Sequence, residues 1–255
     1  MNIIAMIQAR VGSTRLPGKV LLPLEKKTVL ERVIERVQKS TKIDEVMVIT
    51  TLNKADSEIV KACSNNGVRV FCGSEEDVLD RFYQAAKLLK PNHIVRITAD
   101  CPLIDAAIID QVIDKHLKEK NDYTSNVLKE TFPDGEDNEI FTFESLKKSW
   151  KEANLSSERE HVTLYIRNHP EEFKLSNLEC EVDLSDKRWT LDNEEDYQFI
   201  KNIYKSLPNK NNFGMSDVLD LINKNKGLEE MNHHIERNEG YQKSLKEDKV
   251  ITNEE

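Results

Sequence analysis

Ile3-Ile4-Ala5-Met6-Ile7-Gln8-Ala9-Arg10-Val11-Gly12-Ser13-Thr14-Arg15-Leu16-Pro17-Gly18-Lys19 stands almost at the start of this chain and decides how the rest is read. Ile3–Ile7 is an apolar strand. It runs into a loop with two Arg, a Lys, two Gly and two hydroxyls. Gly lets backbone N–H groups approach an anion closely. Arg grips phosphate with a two-pronged hydrogen bond, and Lys adds a point charge. The loop therefore reads as a polyphosphate cradle. A merely solvated basic turn is the weaker alternative, because this loop has the strand-then-loop setting that phosphate loops require. It is not a Walker loop: five residues separate Gly12 from Gly18, and Val20 rather than Ser or Thr follows Lys19. No dinucleotide G-x-G-x-x-G is present.

Strands and amphipathic helices alternate onward from this loop. Residues 28–40 place Val29, Leu30, Val33, Ile34 and Val37 on one helical face. Residues 45–51 read as a second strand, 55–66 as a helix stopped by Gly67, and 68–72 as a third strand. A helix is expected over 75–89 with Ser74 as its cap, a strand over 93–98, and a helix over 105–120 capped by Asp105. The second half is less regular. Strands are expected at 123–127 and 139–143, a helix at 158–168, extended segments at 173–178 and 188–191, and a helix at 193–206. Repeated strand-helix units predict an α/β fold of three layers, with a mostly parallel central sheet. Ligands of such sheets bind beyond the carboxyl ends of the strands. The segments 10–19, 73–80 and 99–105 all follow strands, so they should meet at one edge.

A chain of 255 residues suits one α/β domain. We expect a single catalytic domain over 1–227, with acceptor-site and dimerisation elements in its second half, and a polar C-terminal extension over 228–255. A net charge of −9 disfavours nucleic acid as the ligand and makes the basic loop stand out. Cys63, Cys72, Cys101 and Cys180 form no C-x-x-C pair, and no secretory leader or bilayer-length apolar run is evident. The expectation is a cytoplasmic protein with free thiols and no membrane partner.

Asp100 ends a buried strand, where a carboxylate is expensive unless a cation meets it. It either caps the turn before Pro102 or holds Mg²⁺, which takes one or two carboxylates together with phosphate oxygens. Asp192 repeats the setting before the next helix, and there the competing reading is an N-cap closed by Glu195. Gly73, Ser74, Asp80 and Arg81 belong to a helix start that could read a nucleobase, although the residues by themselves favour a capped helix and nothing more. In Glu158-Arg159-Glu160-His161-Val162-Thr163, His161 has charged company and is the histidine singled out for function, whereas His93, His116 and His169 read as structural. Asp134, Gly135 and Glu139 form a polar cluster that could touch a second substrate.

With the loop and both aspartates in hand, the chain resembles the cytidylyltransferases that make CMP-activated acidic sugars, and within them the branch named for spore coat polysaccharide biosynthesis. The likeness covers roughly residues 1–206 and is strongest in 8–19, 98–105, 159–163 and 189–196. It implies a nucleotide-diphospho-sugar transferase fold, often dimeric. It implies that Ala9, Arg10, Gly12, Ser13, Arg15 and Lys19 cradle the triphosphate of CTP, with Gly73, Ser74, Asp80 and Arg81 on the base side. It implies Mg²⁺ on Asp100 and Asp192. Glu139, Arg159 and His161 are then candidates to hold a small anionic, sugar-like acceptor. The expected reaction is attack by an acceptor hydroxyl on the α-phosphorus with loss of pyrophosphate, and Arg10, Lys19, Asp100 and Asp192 are its expected catalytic groups. Three alternatives stay open: a nucleotidyltransferase for another base or acceptor; a glycosyltransferase of the same fold, which usually carries an Asp-x-Asp motif that is not found after a strand here; and a nucleotide-binding protein without turnover.

Overall fold

The computed structural model describes residues 1–209, 212–237 and 239–251. Its centre is a seven-stranded sheet in the order β5-β4-β1-β6-β8-β7-β9. β1 (Ile3–Gln8), β4 (Glu45–Thr51), β5 (Arg69–Gly73) and β6 (His93–Thr98) pair in parallel. β8 (Glu139–Thr142) runs antiparallel to both β6 and β7 (Tyr123–Ser125), and β9 (Leu175–Asn177) lies parallel to β7. A two-residue hairpin, β2 (Pro23–Leu24) with β3 (Lys27–Thr28), stands apart.

Side-chain alternation divides the strands between two cores. Ile3, Ala5 and Ile7 face a layer made by α1 (Val29–Val37), α2 (Ser57–Asn65) and α4 (Ala106–Glu119). Ile4 and Met6 face the opposite layer, made by α3 (Val78–Leu89), α5 (Phe143–Glu152), α6 (Ser156–Glu160) and α7 (Leu164–Asn168). The three-layer expectation is met. A third cluster joins Trp189 and Leu191 to α8 (Glu194–Ser206) and α9 (Met215–Lys224), and closes over Leu24 and Leu103.

Several local expectations are corrected. The helix expected from 75 begins at Val78, because Asp77 is its cap and accepts from Asp80 N at 2.8 Å. Ser74 instead accepts from Asp77 N in the turn before. The helix expected over 158–168 is broken between α6 and α7, where Val162 takes φ 49°. Residues 188–191 are extended but outside the sheet, and they pair with the turn at Asp134. Gly135 makes that pairing possible: at φ 113°, a Cβ there would lie 2.6 Å from the Trp189 carbonyl carbon.

The expected polar extension is laid against the domain. Asn232 donates to Arg188 O and to Asp196. α10 (Glu239–Lys246) packs beside α6, and Asp248 accepts from Ser156 Oγ, Ser157 N and Ser157 Oγ. Residues 252–255 lie outside the described residues. Among those described, no helix is long and apolar enough to cross a membrane.

Candidate active site

Beyond the carboxyl ends of β1 and β6 opens a cleft of about 890 Å³. Its floor begins with the loop after β1. Gly18, at φ 73°, supplies the left-handed residue that turns the loop into a short 3₁₀ turn, Lys19–Leu21. Gly18 N donates to Val11 O at 3.0 Å and closes residues 11–18 into a compact ring. The ring is pinned from below by Asp56, a buried carboxylate that accepts from Val11 N at 2.7 Å and from Thr51. Ala9, Arg10, Ser13, Arg15 and Lys19 line the cleft, whereas Gly12 does not.

Asp100 and Asp192 come together because Leu191 N donates to Asp100 O at 2.9 Å, which joins the two segments backbone to backbone. The Asp192 carboxylate is not spent on the alternative reading. The cap of α8 is Asn193, with Asp196 accepting from Asn193 N and Asp192 N at 3.0 Å each. The Lys19 ammonium sits between the pair, 2.6 Å from Asp100 Oδ2, 2.8 Å from Asp192 Oδ1 and 2.9 Å from Leu191 O. Arg15 adds a contact of 2.8 Å to Asp192 Oδ1. Burial alone would push the Asp100 carboxyl up, but the Lys19 charge and hydrogen bond hold it below the usual carboxylate range. Burial likewise opposes the Lys19 charge, and the two aspartates more than reverse this, holding the ammonium above the usual lysine range.

Two carboxylates and a carbonyl thus converge on one cation position. Among the described residues no set of three or more His, Cys, Asp or Glu side chains is grouped for a metal. The arrangement therefore fits a hard ion that takes one or two carboxylates and completes its shell with phosphate and water. It does not fit a fully protein-ligated zinc centre.

On the side of β5, Arg81 lines the cleft from a buried position, and its Nε has no hydrogen-bond partner. Burial and then Arg10 push its pKa down. Glu75 and Glu76 also reach the cleft, and Gly73 and Ser74 do not. Asp80 turns away, accepting from Trp150 Nε1 at 2.8 Å.

The opposite wall comes from β6, α6 and α10. His161 lines it, with Nε2 2.6 Å from Ser244 Oγ and its ring edge-on to Tyr241. Burial pushes the imidazole pKa down. The left-handed Val162 beside it costs about 1–3 kcal/mol, offset by complete burial of its side chain. Glu139 and Arg159 are not brought to the cleft. Glu139 is buried, accepting from Arg96, Tyr123 Oη and Thr163 Oγ1. Arg159 is occupied by Asp77 and by Trp150 O, tying α6 to the start of α3. Asp134 lies behind the wall, bonded to Arg188 at 3.1 Å.

Three contributors were missed in the sequence. Arg96 reaches the cleft from β6 with Glu139 behind it, and its signal was a lone charge inside His93-Ile94-Val95-Arg96-Ile97-Thr98. Arg188 holds the second Asp192 oxygen at 3.2 Å and Asp196 at 2.9 Å, and it announced itself only by standing four residues before Asp192. Ser244, from the segment expected as an extension, had no signal at all.

An open sheet with a cationic loop after an interior strand, facing two carboxylates on one cation position, defines a nucleotidyltransferase. The chain belongs to the cytidylyltransferase family, whose model matches residues 4–244. It is 41% identical over 239 residues to an uncharacterized protein of Methanocaldococcus jannaschii, covering 92% of this chain and 96% of that one. It is 38% identical over 231 residues to the spore coat polysaccharide biosynthesis protein SpsF of Bacillus subtilis, covering 88% and 95%. A solved cytidylyltransferase structure from Leptospira borgpetersenii superposes with a TM-score of 0.86 at 38% identity, over 90% of this chain and 97% of that one.

Proposed function

We propose that this enzyme activates a sugar acid with CTP, in a Mg²⁺-dependent reaction that yields a CMP-sugar and pyrophosphate. The observation that carries the reading is the convergence of Asp100 and Asp192 on one cation position beside the Arg10–Lys19 loop. Bound there, Mg²⁺ supplies charge neutralisation at the α-phosphate and lowers the barrier to attack by a hydroxyl.

The protein's own groups do the rest. Arg10, Arg15 and Lys19 take up charge that builds on the β- and γ-phosphates as pyrophosphate leaves. Arg81 takes the nucleoside end in this reading, supported by its burial in the cleft with an unpartnered Nε. Arg96 and His161 face the acceptor, and a cation on that wall suits an acidic group. Glu139 and Arg159 act through their neighbours: the first orients Arg96, and the second fixes α6. Similarity to SpsF supports surface polysaccharide as the destination of the product. Assembly as a homodimer and a cytoplasmic location complete the proposal, the former carried by the family resemblance.

The test is pyrophosphate release with Mg²⁺, offering CTP, UTP, ATP and GTP against sugar acids and sugar phosphates. Release that requires CTP and one sugar acid establishes the reading. Release with another triphosphate replaces the base, and release with a sugar phosphate in place of the sugar acid replaces the acceptor. Light scattering on the purified protein reads the dimer.

A further inference from the structure

We propose that Lys19 is the resident counter-ion of the aspartate pair, and that it and a divalent metal exchange places when nucleotide loads, the released ammonium turning onto the incoming phosphates. The inference rests on the proposed role of Asp100 and Asp192 as metal ligands and adds a step to it.

The ammonium has three donors, and three acceptors surround it: Asp100 Oδ2, Asp192 Oδ1 and Leu191 O. A Mg²⁺ held by the same two carboxylate oxygens at about 2.1 Å needs the space between them. That space is where Nζ lies, 2.6 and 2.8 Å from those atoms. Two cations cannot share it. Arg15 and Arg188 counter Asp192 alone; without a cation between them, two carboxylates only 24% and 20% exposed would face each other across that gap, which low local dielectric makes costly. The lysine fills that gap from within the chain.

Its stem is suited to leaving. Lys19 opens a short 3₁₀ turn immediately after the left-handed Gly18, and its four-carbon arm lines the same cleft as Arg10, Ser13 and Arg15. Rotation of the arm alone moves the charge from the aspartates to the phosphate side, with no change in the ring closed by Gly18 and Val11.

The experiment measures Mn²⁺ binding by electron paramagnetic resonance in the full chain, without nucleotide and with CTP. Lys19→Met removes the resident charge and should tighten nucleotide-free Mn²⁺ binding by about tenfold or more, while weakening metal-free CTP binding. Arg15→Met is the control. It removes the same charge from the same Asp192 oxygen, 2.8 Å away, without opening the space between the carboxylates, and should shift Mn²⁺ binding much less. In wild type, lysine labelled with ¹⁵N at Nζ should show one resonance that moves when Mg²⁺ and CTP are added together. This check needs no substitution. Unchanged or weaker Mn²⁺ binding in Lys19→Met, or an equal gain in Arg15→Met, overturns the exchange while leaving the metal ligands in place. Wild type that takes up no Mn²⁺ even with CTP overturns the metal reading itself, and the exchange with it.

Discussion

Arg188 holds Asp192 Oδ2 at 3.2 Å, and this contact leaves Oδ1 facing Lys19 at 2.8 Å. The same guanidinium grips Asp196 at 2.9 and 3.0 Å and Asp134 at 3.1 Å, so three carboxylates of the second half meet on one side chain. An ammonium cannot reproduce this fork. Arg188→Lys should reduce kcat/KM by about 10–100-fold, the usual cost of disturbing a group that orients a metal ligand. Mn²⁺ affinity should fall with it, while CTP affinity without metal stays put. Equal losses in both affinities would show that the residue is only a structural tie.

Asp100→Asn should lower turnover by roughly 10²–10³-fold and shift the thermal midpoint by less than about 5 °C. Lys19 keeps Asp192 and Leu191 O as partners in that variant, so the fold retains its local contacts. Pyrophosphate release beside a melting curve measures both. Near-wild-type turnover would remove Asp100 from the reaction.

Asp248→Ala strips α6 of three hydrogen bonds from the C-terminal segment, at 2.9, 2.9 and 2.7 Å. Loss of such a cap costs about 1 kcal/mol. If expressed at the wall proposed for the acceptor, this is a rise of about fivefold in the acceptor KM. CTP binding, followed by calorimetry, should not change. A matching loss of CTP affinity would place the segment over the nucleotide instead.

Buried His116, with half-buried His93 beside it, sets an acid limit. His116 lies between His93 Nδ1, 3.0 Å away, and Thr124 Oγ1, 3.1 Å away. Burial, with His93 beside it, pushes its pKa down from 6.5 to about 3. The unfolded chain therefore takes up a proton near pH 6.5 that the folded chain refuses. The contribution is full above pH 6.5 and is lost as pH falls towards 3, at up to about 1.4 kcal/mol per pH unit. Asp134 acts in the opposite sense: burial and then Asp137 raise its pKa to about 7, so protonation of the folded state adds stability as pH drops below 7. Melting curves of wild type and His116→Gln should converge between pH 7 and pH 5. Parallel curves would show that the imidazole accepts its proton while folded.

The first half of the molecule was legible because its physics is local. β4 and β6 carry the expected bounds, since buried runs of Val, Ile and Met between turn signals leave few alternatives. Arg10, Arg15, Lys19 and Asp100 were legible as a set because strand ends in such a sheet share one edge; Asp192 joins them from a segment outside the sheet, through the bond from Leu191 N to Asp100 O. The break at Val162 was hidden, because a β-branched residue in left-handed backbone goes against its own preference and is held only by tertiary burial. Asp77 outcompeted Ser74 as a cap through a choice between two good candidates three residues apart. The contribution of Ser244 depends on docking of a polar helix whose composition says nothing of where it lands.

The bond from Leu191 N to Asp100 O also orders events during synthesis. A chain still held on the ribosome before Asp192 emerges already owns β1, β4, β5 and β6 and the entire cationic loop. It owns only half of the cation position. The cations of the loop are therefore synthesised before the second half of the cation position that they face.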